Sequence, residues 1–265
     1  MLWDIDHTLI ATRGVGREIF GDAFEQVTGT PMREQAAVDG MTEPVIFRRT
    51  AELHGVTSDR TMFEAFARHS AELHRQRAHD LRERGHALPG AAAALATLAD
   101  TNGIVQSVVT GNIRPVAEVK LQVFGLDTHI QFPYGGYGED HDDRAELVRT
   151  AIARIRAGTG ADVALTDVLL IGDTSADVAA GRAAGIPVLA VATGRTSAAE
   201  LADAGATATV RDRVVVNACG WPLEGCPDDA GRDRCDLTGC DSFFAAATAV
   251  PAVIEIESSA ARGQP

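Results

Sequence analysis

A parallel α/β sheet flanked by helices, with an all-helical module inserted after its first strand, is the fold class these 265 residues predict. Three observations carry that expectation. From Gly103 onward, short apolar runs alternate with amphipathic stretches, the strand–helix rhythm that builds a parallel sheet. The chain opens on Leu2-Trp3-Asp4, an apolar pair delivered to an acid. Between that opening and the Pro89-Gly90 turn, the pattern is helical only.

In chain order, the opening strand ends at Asp4, with only Met1, Leu2 and Trp3 before it. Residues 14–84 read as helices broken at Thr28-Gly29-Thr30-Pro31, Asp39-Gly40 and His54-Gly55. Residues 104–109 form an apolar run of buried-strand type, followed by a helix over 114–124. Residues 130–132 are a brief apolar piece before the loop Gly135-Gly136-Tyr137-Gly138, and residues 144–157 have helical periodicity. A strand over 168–171, a helix over 176–184, a strand over 188–192, a helix over 197–204 and a last strand over 208–210 complete the pattern. This divides the chain into an α/β core of residues 1–13 and 86–210, a helical cap of residues 14–85, and an extension of residues 211–265. No periodicity assigns an element to residues 219–242, so the order of the extension stays open. No internal repeat is present.

Composition bounds the function. A 45% hydrophobic content suits a globular chain with a sizeable core. No run of about 18 apolar residues appears, so no transmembrane helix is expected. The N-terminus lacks a basic segment followed by an apolar one, and the expected location is the cytoplasm. A formal net charge of −13 argues against general nucleic-acid and anionic-membrane binding, leaving a small anionic ligand open. Cys219, Cys226, Cys235 and Cys240 lack paired CxxC spacing and have no His among them, so they read as incidental thiols. Oligomeric state is not fixed by the sequence.

The chemistry sits at expected strand ends. Asp4 and Asp6 stand two apart before Thr8, and burying both requires a cation or a shared proton. Thr110-Gly111-Asn112 ends one strand and opens a helix, which suits phosphate oxygens held by backbone N–H groups and a hydroxyl. Gly172-Asp173-Thr174-Ser175-Ala176-Asp177 delivers two further acids at another strand end. Ligands of open α/β sheets bind at the carboxyl ends of strands. Carboxylates without His or Cys favour Mg²⁺ over zinc.

These three motifs resemble motifs I, II and IV of the haloacid dehalogenase superfamily, over roughly residues 1–210. Their order, with the helical insert, resembles the phosphoglycolate phosphatase-like members that carry a type-one cap. The resemblance implies a Rossmann-like core and an Mg²⁺-dependent phosphohydrolase acting on a small phosphomonoester. It further implies Asp4 as nucleophile forming an aspartyl-phosphate, Asp6 as acid and base, and a metal held by Asp4, the Asp6 backbone carbonyl and Asp173, with Asp177 nearby. Thr8, Thr110, Gly111 and Asn112 would contact the phosphate. Two residues fit the family's motif III cation. Arg144, at a helix start beside the strand ends, is favoured on reach; Lys120, about two turns into its helix, stays a candidate. In the insert, Gly40-Met41-Thr42-Glu43 breaks between helices, and Thr42 is taken from it as a substrate contact. Rival readings are a sugar-phosphate phosphomutase of the same superfamily and a non-catalytic binding protein that retains the fold.

Overall fold

The structure is a computed structural model and describes residues 1–211. The C-terminal extension beyond that point, with its four cysteines, lies outside the described residues. Five strands form one parallel sheet: β1 (Leu2–Trp3), β4 (Ser107–Val108), β5 (Leu170–Gly172), β6 (Val188–Val191) and β7 (Ala208–Val210), in the order β4-β1-β5-β6-β7. β1 lies between two neighbours, with Trp3 opposite Val108 on one side and Ile171 on the other. The doubly wound, Rossmann-like architecture expected from the sequence is therefore present.

Strand alternation decides which face each side chain covers. Trp3, Ile171, Leu189 and Val191 enter one apolar cluster; Leu2, Leu170, Val188 and Ala190 enter the other. Helices α5 (Ala91–Ala99) and α6 (Arg114–Val123) cover the first face, and α7 (Arg144–Thr159) and α8 (Ser175–Ala184) the second. The last helix, α9 (Ala198–Asp203), precedes β7. Trp3 is fully buried, and its indole N–H donates to Gln106 Oε1, which satisfies the one polar atom of the ring. A side chain of that size contributes about 2–3 kcal/mol by leaving water.

Two details refine the sequence expectation. The run 104–109 narrows to the two paired residues of β4, because residues 104–106 have no ladder partner. The apolar piece 130–132 leads into a short 3₁₀ turn over Phe132–Tyr134, while Val109 bridges Gly136 in the following glycine-rich loop. Helix α5 is an alanine-rich run that carries no strong polar face, so its period is weak in the sequence.

Between β1 and α5 lie four helices: α1 (Val15–Thr28), α2 (Glu43–Leu53), α3 (Arg60–Gln76) and α4 (Ala78–Arg84). An antiparallel ribbon of β2 (Ile10–Ala11) and β3 (His86–Ala87) joins the two ends of this insert. The ribbon is too short to carry an alternating pattern. The insert has its own apolar cluster, in which Phe20, Phe24, Phe47 and Phe66 meet. It touches the core at the carboxyl ends of the strands, where Glu43 N–H donates to Gly111 O at 2.8 Å. A Cβ on Gly111 would run into the Met41 carbonyl and Thr42 Cα, so this approach depends on glycine. Arg48 of the insert pairs with Asp142 of the core at 2.9 Å. No helix among the described residues is long and apolar enough to cross a membrane.

Candidate active site

The loop after β1 separates its two acids. Ile5 O accepts from the N–H groups of Thr8, Leu9 and Ile10, and His7 adopts a left-handed conformation with φ of 63°. This tight turn leaves Asp4 at the sheet edge and swings Asp6 toward α6. The two carboxylates consequently meet different partners.

Asp4 is 6% exposed and sits with Asp173 and Asp177, and carboxylate oxygens of the three lie within 4.8 Å of one another. Arg144, the first residue of α7, donates from Nη2 to Asp4 Oδ1 at 2.6 Å and from Nε to Asp177 Oδ1 at 2.7 Å. The other Asp177 oxygen accepts from Thr174 N–H and its hydroxyl in a capping box at the start of α8. Both Asp177 oxygens are thus engaged, and this residue holds Arg144 in place. Thr8 Oγ1 donates to Asp173 Oδ1 at 3.2 Å. A Cβ on Gly194 would overlap the Asp173 carboxylate, so the chain is bare of side chain where it passes that acid.

Three buried carboxylates against one guanidinium leave two negative charges uncompensated. Burial raises Asp173 to about 8, helped by the neighbouring charges of Asp4 and Asp177. Burial also lifts Asp4, to about 7, against the pull of Arg144. The guanidinium at 2.6 Å favours the ionised form of Asp4, so Asp173 is the acid of the cluster most in need of a counter-charge. An all-oxygen donor set with this surplus fits a hard divalent cation. Asp4 and Asp173 would hold it.

Asp6 is outside that cluster. Lys120, the chain's single lysine, donates to Asp6 Oδ2 at 2.7 Å, to Asp6 Oδ1 at 2.9 Å and to Asn112 Oδ1 at 2.7 Å. Asn112 Nδ2 donates to Asp6 Oδ2 at 2.8 Å and to Thr110 Oγ1 at 2.7 Å. Burial alone would raise the Asp6 carboxyl, but Lys120 and Asn112 outweigh it and hold it below its usual value. Thr110 Oγ1 also accepts from Asn112 N–H, which leaves its own proton for an incoming acceptor. Arg144 and Lys120, candidates for one slot in the sequence, therefore serve different acids.

Among the positions singled out in the sequence, Asp4, Thr8, Arg144, Asp173 and Asp177 make up the acid cluster and its partners, and Asp6, Thr110, Asn112 and Lys120 form the adjoining network. Gly111 and Thr42 meet at the insert–core contact. Two buried groups beside them were not selected from the sequence. Glu43 accepts from Ile113 N–H at 2.9 Å, and burial raises its carboxyl to about 7. His74, on α3, has only 2% exposure. Glu43 reads locally as a first-turn helix charge, and its burial comes from a contact with the core. The spacing Ala67, Ala71, His74 did carry a signal, since it is one helical stripe.

Comparison with known proteins gives this arrangement a family. No curated protein matches the chain. A hydrolase from Pseudomonas syringae shares the fold with a TM-score of 0.56 and 21% identity, covering 80% of this chain and 92% of that one. A predicted phosphatase from Clostridium acetobutylicum is similar with a TM-score of 0.56 and 17% identity, over 80% and 92% of the two chains. A predicted phosphoglycolate phosphatase from Haemophilus somnus gives a TM-score of 0.54 and 17% identity, over 80% and 92%. The family profile described as haloacid dehalogenase-like hydrolase matches residues 1–182, the span that contains all the acids, cations and hydroxyls just described, and the chain belongs to that family.

Proposed function

We propose that this hydrolase is an Mg²⁺-dependent phosphatase acting on a small phosphomonoester through an aspartyl-phosphate, with α1–α4 as its cap. The observation that carries the reading is the Arg144 guanidinium shared between Asp4 and Asp177 in a pocket with two surplus negative charges. Arg144 fixes one Asp4 oxygen and leaves Oδ2 as the attacking atom. That oxygen forms a bond to phosphorus as the bond from phosphorus to the leaving oxygen breaks. Asp6 rests as a carboxylate beside Lys120 and Asn112; it takes the proton of the phosphomonoester monoanion, gives it to the leaving oxygen, and, a carboxylate again, takes one from water. The water oxygen bonds to phosphorus and Asp4 is released.

The Thr110 hydroxyl and the Gly111 N–H ahead of α6 donate to phosphate oxygens. Lys120 and Asn112 keep the Asp6 carboxylate oriented throughout. Bound Mg²⁺ would offset the charge of phosphate and carboxylates and align them. The insert–core contact at Gly111 restricts the site to small leaving groups.

Phosphate release from p-nitrophenyl phosphate and from a panel of phosphorylated metabolites tests the reading, with and without Mg²⁺. The expected result is turnover that needs the metal and vanishes in Asp4→Asn. Turnover that survives either change defeats the assignment.

A further inference from the structure

We propose that the organic part of the substrate lies among hydrogen-bond acceptors presented by Thr42, Glu43 and His74, and that it is an uncharged alcohol bearing at least one further hydroxyl. This deepens the phosphatase reading above and rests on it. A leaving group with a carboxylate or a second phosphate is the class that this pocket rejects.

The placement follows from two helix faces. On α3, Ala71 clusters with Ile113 and Val116 of the core, with Phe63 and Ala67 packed against them. His74 continues that stripe by three residues, and Lys120 continues the matching stripe on α6, so the seam ends with His74 facing the Lys120–Asp6 pair. The charged groups around His74 are Lys120, Asp6 and Arg77. Ser70 lies one turn before His74 on the same side of α3, and its buried hydroxyl lacks a partner.

The chemistry of the three groups is weighted toward acceptors, Thr42 alone carrying a proton free to donate. His74 Nδ1–H donates to Ser70 O at 2.8 Å, and burial holds the imidazole neutral by lowering it to about 4. Nε2 is then a bare acceptor, and it has no partner. Thr42 precedes α2 yet makes no capping bond, and its fully buried Oγ1 also lacks a partner. Glu43 adds a carboxylate.

The charged donors facing this pocket are already spent. The three protons of Lys120 go to Asp6 and Asn112. The insert has no lysine, and each of its arginines is exposed except Arg77. Arg77 is held by Glu18, Asp22 and Asp80. An acceptor-only group could pair only with the Thr42 and Ser70 hydroxyls, would leave His74 Nε2 unpaired and would face Glu43 and Asp6, whereas a hydroxyl donates to His74 or Glu43 as well.

The test compares kcat/KM of the full chain with Mg²⁺ on three esters of one size. These are glycerol 3-phosphate, 3-phosphoglycerate, which replaces the terminal carbinol with a carboxylate, and propyl phosphate, which has no further hydroxyl. Glycerol 3-phosphate is expected to exceed each of the others by about tenfold or more. Glu43→Gln keeps an acceptor for Ile113 N–H and supplies a donor, so it should narrow the preference over 3-phosphoglycerate. His74→Leu should bring the ratio of glycerol 3-phosphate to propyl phosphate toward one, and Thr42→Val provides the same readout if that variant does not fold. Equal or better use of 3-phosphoglycerate, or ratios that no variant moves, overturns the inference while leaving a phosphatase. Failure to cleave any ester, p-nitrophenyl phosphate included, overturns the phosphatase reading and this inference with it.

Discussion

Asp4 and Asp6 are two residues apart and live in opposite electrostatic surroundings. Asp4 shares one guanidinium with Asp177, has Asp173 beside it, and is driven up to about 7. Asp6 receives two hydrogen bonds from the Lys120 ammonium and one from the Asn112 amide, and is held below its usual value. The left-handed turn at His7 lies between them. One acid is left in need of a further cation, and the other is already neutralised. The same residue type can thus serve as nucleophile and as proton carrier according to which helix it faces.

The harshest way to probe that contrast is Asp4→Asn. The nucleophile disappears while the shape is kept, so turnover should fall by about 10³-fold or more, read by steady-state phosphate release. A fall of less than tenfold would remove Asp4 from the reaction.

Metal removal comes next. Chelation should abolish turnover, and Mg²⁺ should raise the melting temperature of the parent chain. Asp173→Asn should raise the metal-free melting temperature, because it removes a repulsive charge, and flatten the response to Mg²⁺. Asp6→Asn should keep that response. If Asp6→Asn and Asp173→Asn lose it equally, the two acids do not differ as described.

On the Asp6 side, His74 should make stability fall in acid. Its folded value, about 4, lies below the unfolded 6.5, so the folded state binds fewer protons. The stabilisation is complete above pH 6.5 and is lost as pH drops through about 4, amounting to about 3 kcal/mol. Urea titrations at several pH values measure it. His74→Leu should remove that part of the slope, and an unchanged slope would place His74 in water.

The smallest effect belongs to the ion pair. Lys120→Met should cost about 2 kcal/mol, below the usual range for a fully buried pair because the Asp6 side chain is 36% exposed. Adding Asp6→Asn should restore part of the loss, because the amide carries no uncompensated charge. A double variant less stable than Lys120→Met alone would contradict the pairing.

Much of this was legible in the chain itself, and the reasons differ by residue. The strand ending at Gly172 is apolar between turn signals, and Asp173 and Asp177 follow at the helix start, so local pattern locates both. Thr110 was legible for the same reason. The partner of Lys120 was not, since distance along a helix axis measures reach to the sheet edge and Asp6 has left that edge. Glu43 and His74 were hidden because each is buried by a partner far away in sequence, Ile113 for one and the α6 face for the other. The β2–β3 ribbon has two residues per strand and offers no period to read.

The single lysine has a practical consequence. Its amine is consumed by three hydrogen bonds inside a pocket and is 6% exposed as a residue. Succinimidyl esters attack free, accessible amines, so the folded chain should accept such a label at its α-amine at most and spare Lys120. Once the chain opens, Lys120 becomes reactive, and a second mass increment counts the molecules that have opened. Most proteins need an engineered cysteine for that kind of clock; here the sequence carries its own.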